Sequence, residues 1–133
     1  MPQKFPLNVE GFHPFAELIG LKVTKSKKGY SECVLAINER LLNPHNVVHG
    51  GIIYSMADTG MGAALYPSLG KNELCATVEI KIVYFMAIAS GIITCKTKFI
   101  HKGKRIAALE SEIESDGCLI AKATGTYSIF KVK

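Results

Sequence analysis

The run Gly50 to Leu65, Gly-Gly-Ile-Ile-Tyr-Ser-Met-Ala-Asp-Thr-Gly-Met-Gly-Ala-Ala-Leu, is apolar on every side and interrupted by a single charged residue, Asp58. A stretch of this length and uniformity reads as a helix buried all round, so the rest of the chain has to supply what wraps it. Asp58 is the only charged side chain between His49 and Lys71. A carboxylate taken out of water needs a partner or a purpose. One reading is a structural acid that caps a backbone group or pairs with a distant lysine, and the other is a functional acid.

The chain has 133 residues, 48% of them hydrophobic and 20% charged, which suits one globular domain over residues 1–133 and excludes wholesale disorder. Residues 50–66 are long enough to raise a membrane span, but they carry Asp58 and four glycines, and Pro67 follows. The opening residues, Met-Pro-Gln-Lys-Phe-Pro, show no basic region followed by an apolar stretch, so no secretory signal is expected. Cys33, Cys75, Cys95 and Cys118 lack the close spacing of a zinc site or redox pair and read as reduced core residues of a cytoplasmic protein. A net charge of +5 is spread along the chain without a basic aromatic stripe, and there is no Trp. That argues against nucleic acid and suits a small ligand carrying several phosphates.

Residues 10–20 read as a short helical turn stopped by Gly20. From Leu21 to Ile37 two strand segments flank the turn Ser26-Lys27-Lys28-Gly29, and 39–49 is a loop containing Asn43-Pro44. Pro67 to Asn72 ends the long helix. Four strand-like runs follow. In the first, Leu74, Ala76, Val78, Ile80 and Ile82 alternate with Cys75, Thr77, Glu79 and Lys81; the others cover Gly91–Ile100, Arg105–Ser115 and Cys118–Phe130. Short connections make the strands antiparallel, and their apolar face needs a cover. The expected fold is α+β, a curved antiparallel sheet of about six strands wrapped around one long helix.

A helix that opens at Gly50 or Gly51 leaves its first N–H groups unpaired at an electropositive end, where they can polarise a carbonyl oxygen. Two glycines there let a substrate touch the backbone, although they also serve tight packing. Gly50 and Asp58 are eight residues apart, roughly 12 Å along a helix and about 80° off the same face. One helix cannot bring both to one reacting atom, so joint action requires the carboxylate of a second copy of the chain. The small residues Gly60, Gly62, Ala63 and Ala64 fit close approach of two helices and fit helix–sheet packing equally.

Asn43, placed six residues before His49-Gly50-Gly51 and followed by Asp58, resembles the signature of the hotdog-fold acyl-CoA thioesterases, in particular the phenylacetate-pathway and mammalian thioesterase-superfamily group. The similarity runs from about Phe12 to Phe130 and includes Val83-Tyr84-Phe85, the basic turn His101-Lys102-Gly103-Lys104-Arg105 and the segment Asp116 to Ala121. The resemblance implies that Asp58 acts as general base or nucleophile and that the Gly50 N–H polarises the thioester oxygen. It also implies that Asn43 positions water or substrate and that His49 supports Asn43 and the reacting end. Thr77 is the nearest match to a Ser or Thr that relatives carry on the strand after the helix, with a one-residue shift in the preceding loop. The same resemblance implies an acyl-CoA substrate, no metal or redox cofactor, a dimer as minimum unit and a tetramer of two dimers.

Lys102, Lys104 and Arg105 could hold the phosphates of coenzyme A or form a solvated turn that discourages edge pairing. His45 and His49, four apart, lie in a loop context without an evident third metal ligand. His13 and His101 read as ordinary surface or half-buried histidines. Two other functions remain open at this point. One is a non-catalytic acyl-CoA or acyl-ligand sensor, against which an intact Asp58 argues, and the other is hydration or dehydration of an enoyl-CoA. The acyl group itself is not readable, and Tyr54, Met56, Met61, Tyr84, Phe85 and Met86 are either pocket walls or plain core.

Overall fold

The computed structural model describes residues 4–7 and 9–132. The opening tripeptide, on which the expectation of no secretory signal partly rests, lies outside the described residues. In chain order the elements are α1 (Pro14–Ile19), β1 (Leu21–Lys27), β2 (Tyr30–Ala36), α2 (Gly50–Leu65), β3 (Glu73–Tyr84), β4 (Ile92–Lys102), β5 (Ile106–Ser115) and β6 (Cys118–Lys131). Single 3-10 turns cover Glu39–Leu41, inside the expected loop, and Tyr66–Ser68, immediately after α2.

Six strands form one sheet in the order β1-β2-β4-β5-β6-β3, with every neighbouring pair antiparallel. The sheet curls around α2, as expected. Ile53, Met56, Ala57, Met61, Ala64 and Leu65 of the helix are buried against Cys33, Leu35, Ile93, Cys95, Leu109 and Ile113 of the strands. Burying such side chains stabilises the fold by roughly 1.5–3 kcal/mol each, which is why an all-apolar helix can serve as its centre. On β5 the burial alternates strictly, with Ala107, Leu109, Ser111 and Ile113 turned inward and Glu110, Glu112 and Glu114 turned outward. Lys98 and Lys122 pair with Glu110 at 3.7 and 3.8 Å on that outer face.

Two glycines set how deep the helix sits. A Cβ on Gly60 would lie 2.7 Å from Thr97 Oγ1, and one on Gly125 would lie 2.6 Å from Met61 Sδ. Gly60 is therefore spent on helix–sheet packing, whereas Gly62 has open space beside it. The far end of α2 is tied to the first hairpin. Ser26 Oγ donates to the Ala63 carbonyl at 2.7 Å and the Gly29 N–H donates to the Ala64 carbonyl at 2.9 Å, satisfying groups that a helix end otherwise leaves unpaired.

Two expectations need correction. Strict alternation along β3 fails, because the pairing with β6 slips by one residue between Thr77 and Glu79. This bulge leaves Leu74 43% and Val78 58% exposed, while Cys75 before it and Ile80 and Ile82 after it pack on the core. The other correction concerns the cysteines. All four are free thiols, but only Cys33 and Cys95 are fully buried; Cys118 is exposed, because it opens β6 directly after the Asp116-Gly117 turn.

Candidate active site

Asp58 lies midway along α2 and is half-buried, facing β3 and β6. Thr77 Oγ1 donates to its Oδ1 at 2.8 Å. The Tyr127 hydroxyl lies against the same Oδ1 and, at 2.8 Å, against the backbone carbonyl of Asp58. With one proton it donates to one of them at a time. Both hydroxyls thus converge on one carboxylate oxygen, and Oδ2 accepts no hydrogen bond among the described residues. Burial pushes the Tyr127 phenol well above its ordinary range and the bond to Asp58 adds to the shift, so the hydroxyl stays protonated as a donor. Burial, then the Asp58 charge, likewise raises the neighbouring Cys75 thiol. These groups border a cavity of about 280 Å³ that Phe5, His13 and Phe15 also line.

The bulge in β3 explains the placement of Thr77. Thr77 pairs with Tyr127 just before the register slips, so both side chains fall on the face turned to α2. The resemblance implies Thr77, whereas Tyr127 carries no signal in the sequence beyond its place in the last strand.

At the start of α2 the glycine amides divide their roles. His49 Nδ1 accepts from the Gly51 N–H at 2.8 Å, and the Ile52 N–H bonds to the His49 carbonyl at 2.9 Å. The Gly50 N–H has no acceptor among the described residues. His49 therefore acts as the helix cap, and its bond selects Gly50 as the free donor. Tyr84 donates its hydroxyl to the Gly50 carbonyl at 2.7 Å, and its ring occupies the space beside Gly50, 3.1 Å from where a Cβ would stand.

Asn43 Oδ1 accepts from the His45 and Val47 N–H groups at 2.8 and 3.4 Å, which fixes the loop and leaves the Nδ2 hydrogens available. Asn43 and Gly50 share a cavity of about 300 Å³ with Tyr84, Phe85 and Met86. His49 makes no hydrogen bond to Asn43; it borders a neighbouring cleft with Arg40 and Gly51.

Asn43 and Gly50 are therefore together, Asp58 and Thr77 are together, and the two pairs border different cavities. Eight residues of continuous helix keep Gly50 and Asp58 about 12 Å apart along the axis. Lys102, Lys104 and Arg105 border a third, open cavity of about 770 Å³ with Glu73, Phe130 and Lys131. Lys131 joins them because β6 runs back past the β4–β5 turn. Among the described residues no group of three or more His, Cys, Asp or Glu is placed to hold a metal ion, and no helix is long and apolar enough to cross a membrane.

A family model described as the thioesterase superfamily matches residues 45–121. The chain belongs to the thioesterase superfamily. Among its relatives is a candidate esterase of Saccharolobus solfataricus, 31% identical over 85% of this chain and 75% of that protein. The acyl-coenzyme A thioesterase PaaI of Escherichia coli is 24% identical over 74% of this chain and 69% of its own length. A solved structure of a conserved protein from Pseudomonas aeruginosa superposes with a TM-score of 0.88 at 32% identity, covering 94% of this chain and all of that one. The α+β sheet wrapped on a helix that the residues predict, and the hotdog fold that the resemblance implies, are thus the fold observed, and membership of the thioesterase superfamily supports thioester hydrolysis as the chemistry.

Proposed function

We propose that the protein hydrolyses acyl-CoA thioesters to a carboxylic acid and free CoA, at a site assembled from two copies of the chain. The observation that carries this reading is the Asp58 carboxylate, anchored through Oδ1 by two hydroxyls while Oδ2 is left free at a cavity. In one copy Gly50 N–H and Asn43 Nδ2 face the thioester; the partner's Asp58, set by the partner's Thr77 and Tyr127, supplies the base. Oδ2 takes a proton from water as its oxygen attacks the carbonyl carbon. The oxygen of the tetrahedral intermediate is met by the Gly50 N–H, the C–S bond breaks, and the proton returns to the departing sulfur.

Two features support the second copy. The separation along α2 prevents one chain from placing Gly50 and its own Asp58 on one carbonyl. In addition, β3 is an edge strand whose Val78, Val83 and Tyr84 are 58%, 44% and 46% exposed, and an unpaired apolar edge invites a second strand. Pairing of two such edges gives the dimer, and two dimers give the tetramer.

The basic cavity fits the phosphates of CoA. Lys131 pairs with Glu73 and Tyr127 pairs with Thr77, four residues apart, roughly 13 Å along the strands. A pantetheine arm laid along this path would join phosphates at Lys102, Lys104 and Arg105 to a thioester at Asp58. The relative in Escherichia coli is named an acyl-CoA thioesterase, which agrees with this ligand. The reaction as drawn uses neither metal nor redox cofactor, and a cytoplasmic site of action suits the free thiols.

The test is release of free thiol from a panel of acyl-CoAs. The wild type should turn over at least one of them, and Asp58→Asn should lower kcat by about 10²–10⁴ while ligand binding persists. Binding without turnover in the wild type would make the protein a sensor and overturn the proposal.

A further inference from the structure

The cavity beside Asp58 does not end at the carboxylate. Phe5 and His13 line it and also line a second cavity of about 360 Å³ formed by the N-terminal segment, α1 and β1. A void of about 150 Å³ holds a benzene ring, so either space takes a group of that size. Phenylalanine rings stand in both walls among apolar and polar side chains. The Phe5 ring meets Phe12 and Tyr66 edge-on, with centroids 5.4 and 5.8 Å away, and Phe15 closes the Asp58 side.

Among the described residues His13 is one of two, with Phe5, that border both cavities. It caps α1, where its Nδ1 accepts from the Ala16 N–H at 3.2 Å and its carbonyl accepts from the Glu17 N–H at 3.1 Å. A ring nitrogen that accepts an N–H cannot carry the proton, so the bond places the hydrogen of the neutral ring on Nε2. That N–H makes no hydrogen bond among the described residues. The cap thus sets both the tautomer and the position of an N–H donor on a residue shared by the two cavities.

We infer that His13 determines acyl specificity, with its Nε2–H donating to an oxygen carried on the acyl group, so that oxygen-bearing acyl-CoAs are favoured over their unsubstituted counterparts. This assignment rests on the thioesterase reading of the Asp58 site. An unsubstituted acyl group entering the cavity strips water from Nε2–H and offers nothing in return. A hydroxyl or keto oxygen on the acyl group replaces the lost bond. One such bond corresponds to roughly three- to tenfold in kcat/KM. In the sequence His13 is an ordinary histidine, because its distance from Asp58 along the chain gives no hint that they border one space.

Matched substrates provide the test: hexanoyl-CoA against its hydroxylated derivatives, and benzoyl-CoA against its hydroxylated derivatives. In the wild type at least one hydroxylated member should exceed its parent by roughly three- to tenfold in kcat/KM. His13→Ser and His13→Asn keep a capping oxygen but remove the Nε2–H, and in both the ratio should fall toward one. Equal rates within every pair in the wild type, or a preference that survives both substitutions, would overturn the assignment while leaving hydrolysis intact. No thiol release from any of these substrates would instead overturn the hydrolase reading and this assignment with it.

Discussion

Thr77 Oγ1 stands 2.8 Å from Asp58 Oδ1, although the two residues lie on different elements, nineteen positions apart in the chain. The contact exists because β3 bulges immediately after Thr77, turning that hydroxyl toward the helix while Val78 turns out. Thr77→Val keeps the shape and removes the donor. Asp58 then retains only Tyr127 on Oδ1 and can rotate away from its working position. We expect kcat to fall by about tenfold with a smaller change in KM, as for a lost hydrogen bond that aims a base rather than binds substrate. Steady-state kinetics on the best acyl-CoA checks this, and an unchanged kcat would remove Thr77 from the site.

Tyr127 gives a prediction in pH. Its phenol is raised above the ordinary value of 10.0, first by burial and then by the bond to Asp58. Between that value and the higher folded one, the unfolded chain loses the proton and the folded chain keeps it. The stability contributed by this group is therefore fully present below pH 10 and is lost as pH rises through the elevated folded value. The slope approaches about 1.4 kcal/mol per pH unit for one proton. Denaturant unfolding above pH 10 should show the wild type losing stability faster than Tyr127→Phe, and parallel curves would contradict the coupling.

The fold was legible in the sequence because its main signal was compositional. An all-apolar stretch followed by amphipathic strands leaves few arrangements besides a sheet wrapped on a helix, and the strand boundaries came within a few residues. The placement of Gly50 at the opening of α2 and of Asp58 midway along it was legible for a similar reason, since both stand out from their local context. Tyr127, Tyr84 and Lys131 were not marked in the same way, because their roles depend on register. Tyr127 reaches Asp58 only after β6 pairs with β3, and period-two patterning assigns it to the core without naming its partner. The bulge itself has no sequence signal, because Val78 fits the alternating pattern as an inward residue and only the pairing with β6 turns it out.

The divided glycines at the start of α2 yield a sharper substitution than removal of a side chain. Gly50→Pro deletes an N–H that has no acceptor among the described residues, at the first helical position, where proline's fixed φ is tolerated. His49 already has an extended backbone, with ψ at 132°, which suits a residue before proline. The Tyr84 ring must shift slightly to admit the new side chain. We expect a loss of roughly 10²–10³ in kcat with the helix retained by circular dichroism, the size of effect seen when one oxyanion donor is removed.

Charge at the third cavity should appear in KM. Lys104→Glu with Arg105→Glu reverses the sign beside Lys102 and Lys131 without touching Asp58 or Gly50. KM for acyl-CoA should rise several-fold while kcat changes little. The wild-type KM should also climb with salt, since exposed charge contacts weaken as the Debye length drops below about 8 Å. A thioester truncated to its pantetheine portion should be insensitive to both changes. Equal effects on the truncated and full substrates would place the phosphates elsewhere.

Sharing of the site between copies can be tested by mixing two inactive variants. Asp58→Asn spoils the base and Gly50→Pro spoils the oxyanion donor, and each pure preparation should be nearly inert. If an active site takes Gly50 from one copy and Asp58 from the other, a mixed dimer carries one site with both groups intact and one with neither. Random association at equal amounts makes half of the dimers mixed, so unfolding and refolding the mixture together should recover about a quarter of wild-type activity. A site contained within one chain recovers none, because every chain then holds a defect of its own. Val78→Lys provides the matching control at the exposed bulge of β3, where a charge on the edge should oppose strand pairing. It should lower the sedimenting mass and the activity together, whereas a fully active monomer would show that each chain works alone.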